Sequence, residues 1–480
     1  MLWIALYLPD LPLQVSHRGL LPDLPLVLSD GAVQRPLVIA ANEAAQACGI
    51  RLGMPVSAAR ALTPELAVWP RDPGKEEAAL HALAAWAGQF TPTVTIDKES
   101  VLLEVAPSLR LFGGLMKLGK RVQDGAAQLG FAVSAGIAPT PLAALLMARA
   151  RAQNASLRGC RRLEELPGKL DPLPLRLMDW PQETIETFAS LGVTTLGQCH
   201  ALPRDGLMRR FGLQMVDELD RTYGEQSDPR ICFVPPPVFF SRLELTSEAE
   251  DFERIRQVIA LLLQELEGYL RARRQGTTLL LLKLEQGKEL AQEISIGFSL
   301  PHCDAGECLS LVNSHMERVT LNAPVRAVIL QVDKFAAYEA LNRSLLPGSE
   351  INRLAWQQLN EQLAARLPAE SLYRMALHDD HRPEYAWLRD GERAEGLSLP
   401  DLPRPTWLLL HPRSLSSWSG QPQFEGMLTL LTGAERIEAG WWDDRPVSRD
   451  YYIARNPKGQ LCWIYQDHRE QQWYLHGFFG

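Results

Sequence analysis

A basic surplus, a disulfide framework and an apolar run of membrane length are all missing from this sequence. The 480 residues carry a formal net charge of −8. That excludes a protein that holds nucleic acid by bulk charge, so any phosphate contact must come from local basic patches. Seven cysteines (Cys48, Cys160, Cys199, Cys232, Cys303, Cys308 and Cys462) are dispersed and odd in number, which fits a reducing cytoplasm and not a disulfide scaffold. The opening run MLWIALYLPDLPL has no basic flank and is interrupted by Asp10 and two prolines, so no signal peptide is expected. TTLLLLKL, an apolar run, stops at Lys283, far short of a bilayer span, so no membrane association is expected. His302-Cys303 with Cys308 has the look of half a metal site, but no second half follows at finger-like spacing, and no metal is expected. What is present is ordinary: 46% hydrophobic and 22% charged residues, the balance of a globular protein long enough for three or more structural units.

Residues 94–114, VTIDKESVLLEVAPSLRLFGG, organise the rest. They read as a buried strand, a turn and the start of a helix. Before them, LWIALYL is a strand buried on both faces, followed by a turn at PDLP. LPLVLSD and RPLVIAAN read as two further strands, and EAAQACGIRLGMPVSAARAL as helix, Gly-Met-Pro break and helix. EEAALHALAAWAGQF is an amphipathic helix leading into residues 94–114. FAVSAGIAPTPLAALLMARARA is strand, turn and helix, and residues 166–230 read as short helices. Past the proline-rich VPPPVFF, the pattern is β-α-β-β-α-β up to VRAVILQVDKF. The end of the chain reads as a three-strand meander turning at Asn456-Pro457-Lys458-Gly459 and near His468. Seven of the twelve tryptophans fall in this tail. A small β core accounts for most of them; stacking on single-stranded DNA or on a partner is the other use for aromatics interleaved with Arg449, Arg455 and Lys458.

RPLVIAANEAAQACGIRLGMPVSAARAL is similar to the fingers segment of Y-family DNA polymerases, in a register set by Gly49, Gly53, Met54 and Pro55. S-A-G-I-A-P resembles a second motif of that family, L-x-x-L-G-V-x-T its thumb, and the β-α-β-β-α-β stretch its little finger. H-R-P-E-x-A-W, R-P-x-W-L-L and E-R-I-E-A-G-W-W-D resemble the C-terminal region of ImuB-type proteins, polymerase-like accessory factors of bacterial mutagenesis. The resemblance implies an α/β (α+β) multidomain protein of right-hand architecture with a small β-rich C-terminal domain. It implies a palm at residues 1–30 and 73–160, fingers at 31–72, and a helix-hairpin-helix-like thumb at 161–233. A little finger at 236–340, a linker with a possible clamp-binding peptide at 341–370, and a partner-docking region at 371–480 follow.

The residues that carry the family's chemistry are largely replaced. Tyr7 stands where the resemblance puts the first catalytic Asp, Pro9 at the second acid and Pro12 at the ribose-excluding aromatic. Glu99 and Ser100 stand at the paired acids of the hairpin, with Asp10 and Asp97 nearby. Glu43, Gln46, Pro141 and Leu145 replace the Tyr, Arg and two Lys of the nucleotide site. Polymerisation needs two divalent cations held by carboxylates, so no catalytic residue and no cofactor are expected. Magnesium would enter only if Asp10, Asp97 and Glu99 rebuilt an active translesion polymerase.

DNA contact is expected from the arginine cluster Arg149, Arg151, Arg158, Arg161 and Arg162, from Arg209 and Arg210, and from Arg271, Arg273 and Arg274. The last three serve equally as charges complementing a helix dipole. Asp179-Trp180-Pro181 replaces the usual hairpin glycines. In LNRSLLPG, the residues Asn342, Leu345 and Leu346 take the places of a clamp peptide. The resemblance implies a cytoplasmic adaptor in SOS-induced translesion synthesis. Its implied partners are DNA, the sliding clamp, an error-prone C-family polymerase and a RecA-like ImuA-type protein.

Overall fold

The structure is a computed structural model that describes residues 1–18, 24–32, 34–153, 159–287, 290–317, 319–338, 375–389 and 402–480, with isolated positions between 356 and 373. The chain divides into two compact units, Met1–Arg366 and Leu367–Gly480. It is a mixed α/β fold with a β-rich C-terminal unit.

β1 (Trp3–Tyr7) lies inside an antiparallel sheet of order β5-β6-β1-β7, with β5 (Val94–Asp97), β6 (Ser100–Glu104) and β7 (Ser134–Ala138). The unbroken apolar run is explained by burial on both faces. Trp3 and Ala5 pack toward α6 (Pro141–Gln153), while Ile4 and Leu6 pack toward α4 (Pro73–Ala87) and α5 (Leu115–Gln128). Gly136 on β7 lets α6 come close: a Cβ there would lie 2.1 Å from the Ala144 carbonyl oxygen. Residues 94–104 are a two-stranded hairpin and not the single strand expected. Lys98, at φ 46°, turns the chain between these two short strands.

The turn expected at PDLP is shorter than four residues. Asp10 turns the chain at φ 58°, and α1 (Leu11–His17) begins directly after it. Pro12 sits in the first helical turn, where its missing N–H costs nothing. β2 (Leu26–Ser29) lies between β3 (Val38–Ala41) and β4 (Ala67–Pro70) in a separate small sheet, beside α2 (Glu43–Ala47) and α3 (Val56–Leu62). Residues 26–29 thus leave the first sheet, because Leu26 and Leu28 bury against Leu13 of α1 while Val27 buries against Ala45, Val56 and Ala59.

α7 (Leu166–Leu170), α8 (Gln182–Ser190), α9 (Leu196–His200), α10 (Arg204–Phe211) and α11 (Leu213–Tyr223) form one apolar cluster with α6. Beyond them β8 (Phe239–Ala249), α12 (Phe252–Arg273), β9 (Gln275–Gln286), β10 (Leu290–His302), α13 (Ala305–Met316) and β11 (Val325–Val332) give the β-α-β-β-α-β order anticipated. The sheet order is β10-β9-β11-β8, and β12 (Phe335–Ala337) adds to β9. α12 seats on α4. Gly268 allows it, since a Cβ would meet the Trp86 ring at 2.2 Å. Beside this contact the Arg18 guanidinium and the Glu265 carboxylate form an ion pair with side chains 6% and 1% exposed. The Ser241 hydroxyl donates to Glu265 at 2.6 Å, and the Arg18 guanidinium lies 4.4 Å from the centre of the Phe131 ring.

In the second unit, β13 (Met375–Leu377) and β14 (Trp387–Arg389) pair with each other. The meander β19 (Val447–Arg455), β20 (Leu461–Asp467) and β21 (Trp473–Phe478) is widened to seven strands by β15 (Trp407–Trp418), β16 (Gln421–Gln423), β17 (Thr429–Leu430) and β18 (Glu435–Ala439). The expectation that a β core accounts for most of the tail tryptophans fails. Trp463 and Trp473 are buried, whereas Trp387, Trp407, Trp418, Trp441 and Trp442 are exposed. Strand alternation and loop placement turn these five outward.

His476 is buried, accepts the Tyr451 hydroxyl at 2.9 Å, and lies beside the stacked Tyr451 and Trp463 rings, 5.8 Å from the centre of each. Burial holds its pKa below the ordinary 6.5, so below pH 6.5 the unfolded chain takes the proton first. Its contribution to stability is complete above pH 6.5 and is lost as the pH falls through the lowered pKa, at up to about 1.4 kcal/mol per pH unit. Urea unfolding of the protein between pH 7.5 and 5 should show that decline, and His476→Gln should flatten it. An equal slope in both proteins would contradict the assignment. A second loss is expected nearer pH 3. There the Asp450 carboxyl, held down to about 2 first by hydrogen bonds from Arg436 and then by His468, takes up its proton.

Candidate functional site

Tyr7 ends β1 opposite Ser100 of β6 and Ser134 of β7. The Glu99 carboxylate lies close enough for its charge to act on the Tyr7 hydroxyl. Burial, then the Glu99 charge, pushes the phenol above its usual pKa of 10, so Tyr7 is a neutral phenol where a metal ligand would have to be charged. The main chain closes the same corner, with Leu8 N–H donating to the Glu99 carbonyl at 2.9 Å. Ser100 is buried, and its hydroxyl donates to the Asp97 carbonyl at 2.6 Å. Asp10 is exposed, and its carbonyl caps the first turn of α1.

Asp97 lies on edge strand β5, two strand spacings from β1 or roughly 9–10 Å. Its carboxylate accepts from Arg230 at 2.6 Å, and Arg230 also binds Asp228 at 2.8 Å. Asp97 thus ends edge strand β5 paired with Arg230, while Glu99 sits in the turn that follows. Among the described residues no three His, Cys, Asp or Glu side chains are grouped to hold a metal ion. The residues at this position do not fit a pair of divalent cations: with a phenol, a buried hydroxyl and an Asp97 held by Arg230, Glu99 alone does not make the oxygen-rich cage such ions need.

A cleft of about 500 Å³ adjoins the site, lined in part by Arg71, Glu76, Lys98, Glu99, Arg149 and Asp179. Its charges largely satisfy one another. Arg71 makes a two-pronged contact with Glu76 at 2.6 and 2.7 Å, and Lys98 pairs with Asp179. Arg149 donates to the Leu177 carbonyl at 3.0 Å and lies 5.8 Å from the Tyr7 ring centre. The positions expected to replace a nucleotide site follow suit. Glu43 is exposed in the first turn of α2, Gln46 donates to the Ala41 carbonyl at 2.8 Å, and Pro141 and Leu145 are buried in α6.

The arginines expected to form one cluster are divided. α6 runs back along β7, so Arg149 and Arg151 reach the Ser134 end of the sheet, where Arg151 approaches the Ala135 carbonyl at 3.4 Å. The chain has returned by Cys160, whose N–H donates to the Ile137 carbonyl. Arg161 and Arg162 are exposed there beside a second cavity of about 970 Å³, with Trp3, Thr140 and Gly224. Arg158 lies outside the described residues, as do Asn342, Leu345 and Leu346. Arg209 and Arg210 are exposed in the last turn of α10. Arg271 pairs with Glu267. Arg273 donates to the Pro236 and Pro237 carbonyls at 3.3 and 3.4 Å, and Arg274 ends α12 in a left-handed conformation. Arg271 and Arg273 thus brace the helix and the proline linker. In the segment at the thumb hairpin, Trp180 donates to Glu218 at 3.0 Å.

The sequence reading missed two groups of residues. One is Arg230, whose partner Asp97 is 133 residues away. The other lies on the helix-free face of the β8–β11 sheet. Arg242 bridges Glu244 and Glu285, Lys283 pairs with Glu293, and Lys75 of α4 reaches Glu244 at 2.6 Å. Alternating charges along β8 and β9 were the available signal, since opposite charges on paired strands meet face to face.

No helix among the described residues is long and apolar enough to cross a membrane. Residues 13–149 match the impB/mucB/samB family. The chain is 27% identical over 470 residues to Protein ImuB of Caulobacter vibrioides, covering 90% of this chain and 100% of that protein. It is 29% identical over 189 residues to DNA polymerase IV of Desulfatibacillum aliphaticivorans, covering 39% of this chain and 47% of that one. Among solved structures, DinB from Sulfolobus solfataricus superposes with a TM-score of 0.40 at 16% identity, covering 71% of this chain and 100% of DinB. The chain is thus similar to the impB/mucB/samB family over residues 13–149 and to Protein ImuB along nine tenths of its length.

Proposed function

We propose that this chain is a non-catalytic, Y-family-polymerase-like adaptor in DNA damage tolerance. The observation that carries the reading is the corner of β1 and β6, where a neutral Tyr7 faces a buried Ser100 whose hydroxyl donates to the Asp97 carbonyl. In this reading the β5-β6-β1-β7 sheet with α4–α6 is a palm without its metal ligands, and the small β3-β2-β4 sheet with its helices forms the fingers. α7–α11 are the thumb and the β8–β12 sheet with α12 and α13 the little finger. The protein contacts DNA and links the sliding clamp to an error-prone C-family polymerase and a RecA-like protein, which carry out and support synthesis past lesions in the cytoplasm. The clamp contact is assigned to Asn342, Leu345 and Leu346, and the other docking to residues 371–480. The rival reading, an active translesion polymerase, needs Asp10, Asp97 and Glu99 in one cage, and the Arg230–Asp97 pair opposes it. Primer extension separates the two: template-directed incorporation that disappears on Glu99→Ala would establish the rival.

DNA contact is assigned to the exposed arginines Arg161, Arg162, Arg209 and Arg210, because Arg271, Arg273 and Arg242 already hold partners. Replacing the four by Ala should lower affinity alike for all sequences. The slope of log K against log salt should shrink by about 0.9 for each duplex phosphate that is no longer neutralised. Unchanged binding in a salt titration would move the DNA surface elsewhere.

A further inference from the structure

The loop from Gly440 to Arg445 displays two tryptophans, yet side-chain contacts from Arg382 and Arg445 tie it down. Trp441 is 82% exposed and Trp442 55% exposed, with ring centres 5.3 Å apart and edge to face. Beneath them lies Arg382, a guanidinium with a side chain only 3% exposed. It donates to Asp443 at 2.9 and 2.6 Å, to Asp380 at 3.0 and 2.7 Å, and to the Arg445 carbonyl at 3.2 Å. Its flat face lies 4.5 Å from the Tyr385 ring centre and 5.6 Å from that of Trp442. Arg445 closes the loop from the other side by donating to the Tyr385 hydroxyl at 2.9 Å. Gly440, at φ 78°, is needed because a Cβ would lie 2.4 Å from the Arg445 carbonyl oxygen and 2.5 Å from the Arg382 guanidinium.

A buried, doubly paired arginine stabilises the loop in one conformation without covering its indoles. Exposed indoles held in place lose little freedom on binding, which is the condition under which a few aromatic side chains dominate an interface. The charge around them selects the kind of partner. Asp379, Glu438 and Asp444 are exposed on this loop and the segments beside it, and residues 367–480 carry more acidic than basic residues. A phosphate backbone is repelled there, whereas a protein surface with apolar pockets and a basic rim is attracted.

We infer that Trp441 and Trp442, held by Arg382, are the anchor by which the C-terminal unit docks a protein partner that presents an apolar surface with a basic rim. The inference rests on the adaptor reading and names the surface that reading requires. The test uses the full chain immobilised, with the purified RecA-like protein and the purified C-family polymerase as analytes. The variants are Trp441→Ala with Trp442→Ala, Asp444→Lys, and Trp407→Ala as an exposed tryptophan on a different element. The double variant should weaken binding of at least one analyte by about 30-fold or more. Asp444→Lys should weaken the same analyte, and Trp407→Ala should leave it unchanged. Since both indoles face solvent, the double variant should keep the wild-type unfolding temperature. Wild-type binding that the double variant retains overturns the inference and leaves the adaptor reading standing. Failure of the wild type to bind either analyte overturns the reading and the inference together. Loss of oligo(dT) binding in the double variant, with both proteins still bound, would make the loop a single-strand stacking platform and overturn the assignment.

Discussion

Incubated with a primed template, all four nucleotides and Mg²⁺ or Mn²⁺, the purified protein should leave the primer at its starting length. Each metal site of a polymerase supplies several kcal/mol of transition-state stabilisation, and about 4 kcal/mol corresponds to roughly a thousandfold in rate. In the proposed reading a neutral Tyr7 stands at the first-strand acid and a buried Ser100 at the hairpin acid. The same reading has Glu43, Gln46, Pro141 and Leu145 in place of the groups that would hold the triphosphate. Two further variants sharpen the prediction. Arg230→Ala releases Asp97 but should restore nothing, because Asp97 remains on the edge strand, two strands from Tyr7. Tyr7→Asp with Ser100→Asp returns two carboxylates to facing positions on β1 and β6, but it should still fail to incorporate nucleotides because nothing holds the triphosphate. Incorporation by the wild type that Glu99→Ala abolishes would refute the non-catalytic reading.

Replacing Glu265 by Ala should destabilise the first unit by about 3–5 kcal/mol, the range for a buried pair broken on one side. The Arg18 guanidinium would be left with its 6%-exposed side chain and no counter-charge, and the Ser241 hydroxyl would lose its acceptor. The pair lies where α12 seats on α4, so the loss should appear in the cooperative unfolding of the whole unit. Adding Arg18→Met should recover a large part of the loss, because an apolar chain of similar volume removes the stranded charge. Urea titration of the three proteins is the measurement. A single-variant cost below about 1 kcal/mol would place the pair in solvent, where such contacts contribute little.

Much of the fold was legible in local pattern. The apolar run at residues 2–8 marked a strand covered on both faces, and the Ala- and Leu-rich stretch EEAALHALAAWAGQF marked the helix α4. The switch from strand to helix spacing marked the β-α-β-β-α-β order. The chemistry at single positions was legible too, since Tyr7 and Ser100 cannot bind a metal as carboxylates whatever surrounds them. These properties depend on residue type and near neighbours, and so are carried by the sequence itself.

Pairing across long separations was decided by the tertiary structure alone. Arg230 reaches Asp97 from 133 residues away, and Arg18 meets Glu265 through the seating of one helix on another. Neither has a local signature, because an arginine beside a carboxylate in space looks like any charged residue in sequence. The same reason separates Arg149 and Arg151 from Arg161 and Arg162: α6 runs the length of β7 and the chain then returns, so close numbering becomes opposite ends of a sheet. Five tail tryptophans with core-like composition face solvent because exposure is set by which strand faces meet. The loop holding Trp441 and Trp442 is fixed by Arg382, some sixty residues earlier in the chain. Sequence determines which groups are available, and the packing of distant segments determines which of them are neutralised, buried or left to meet a partner.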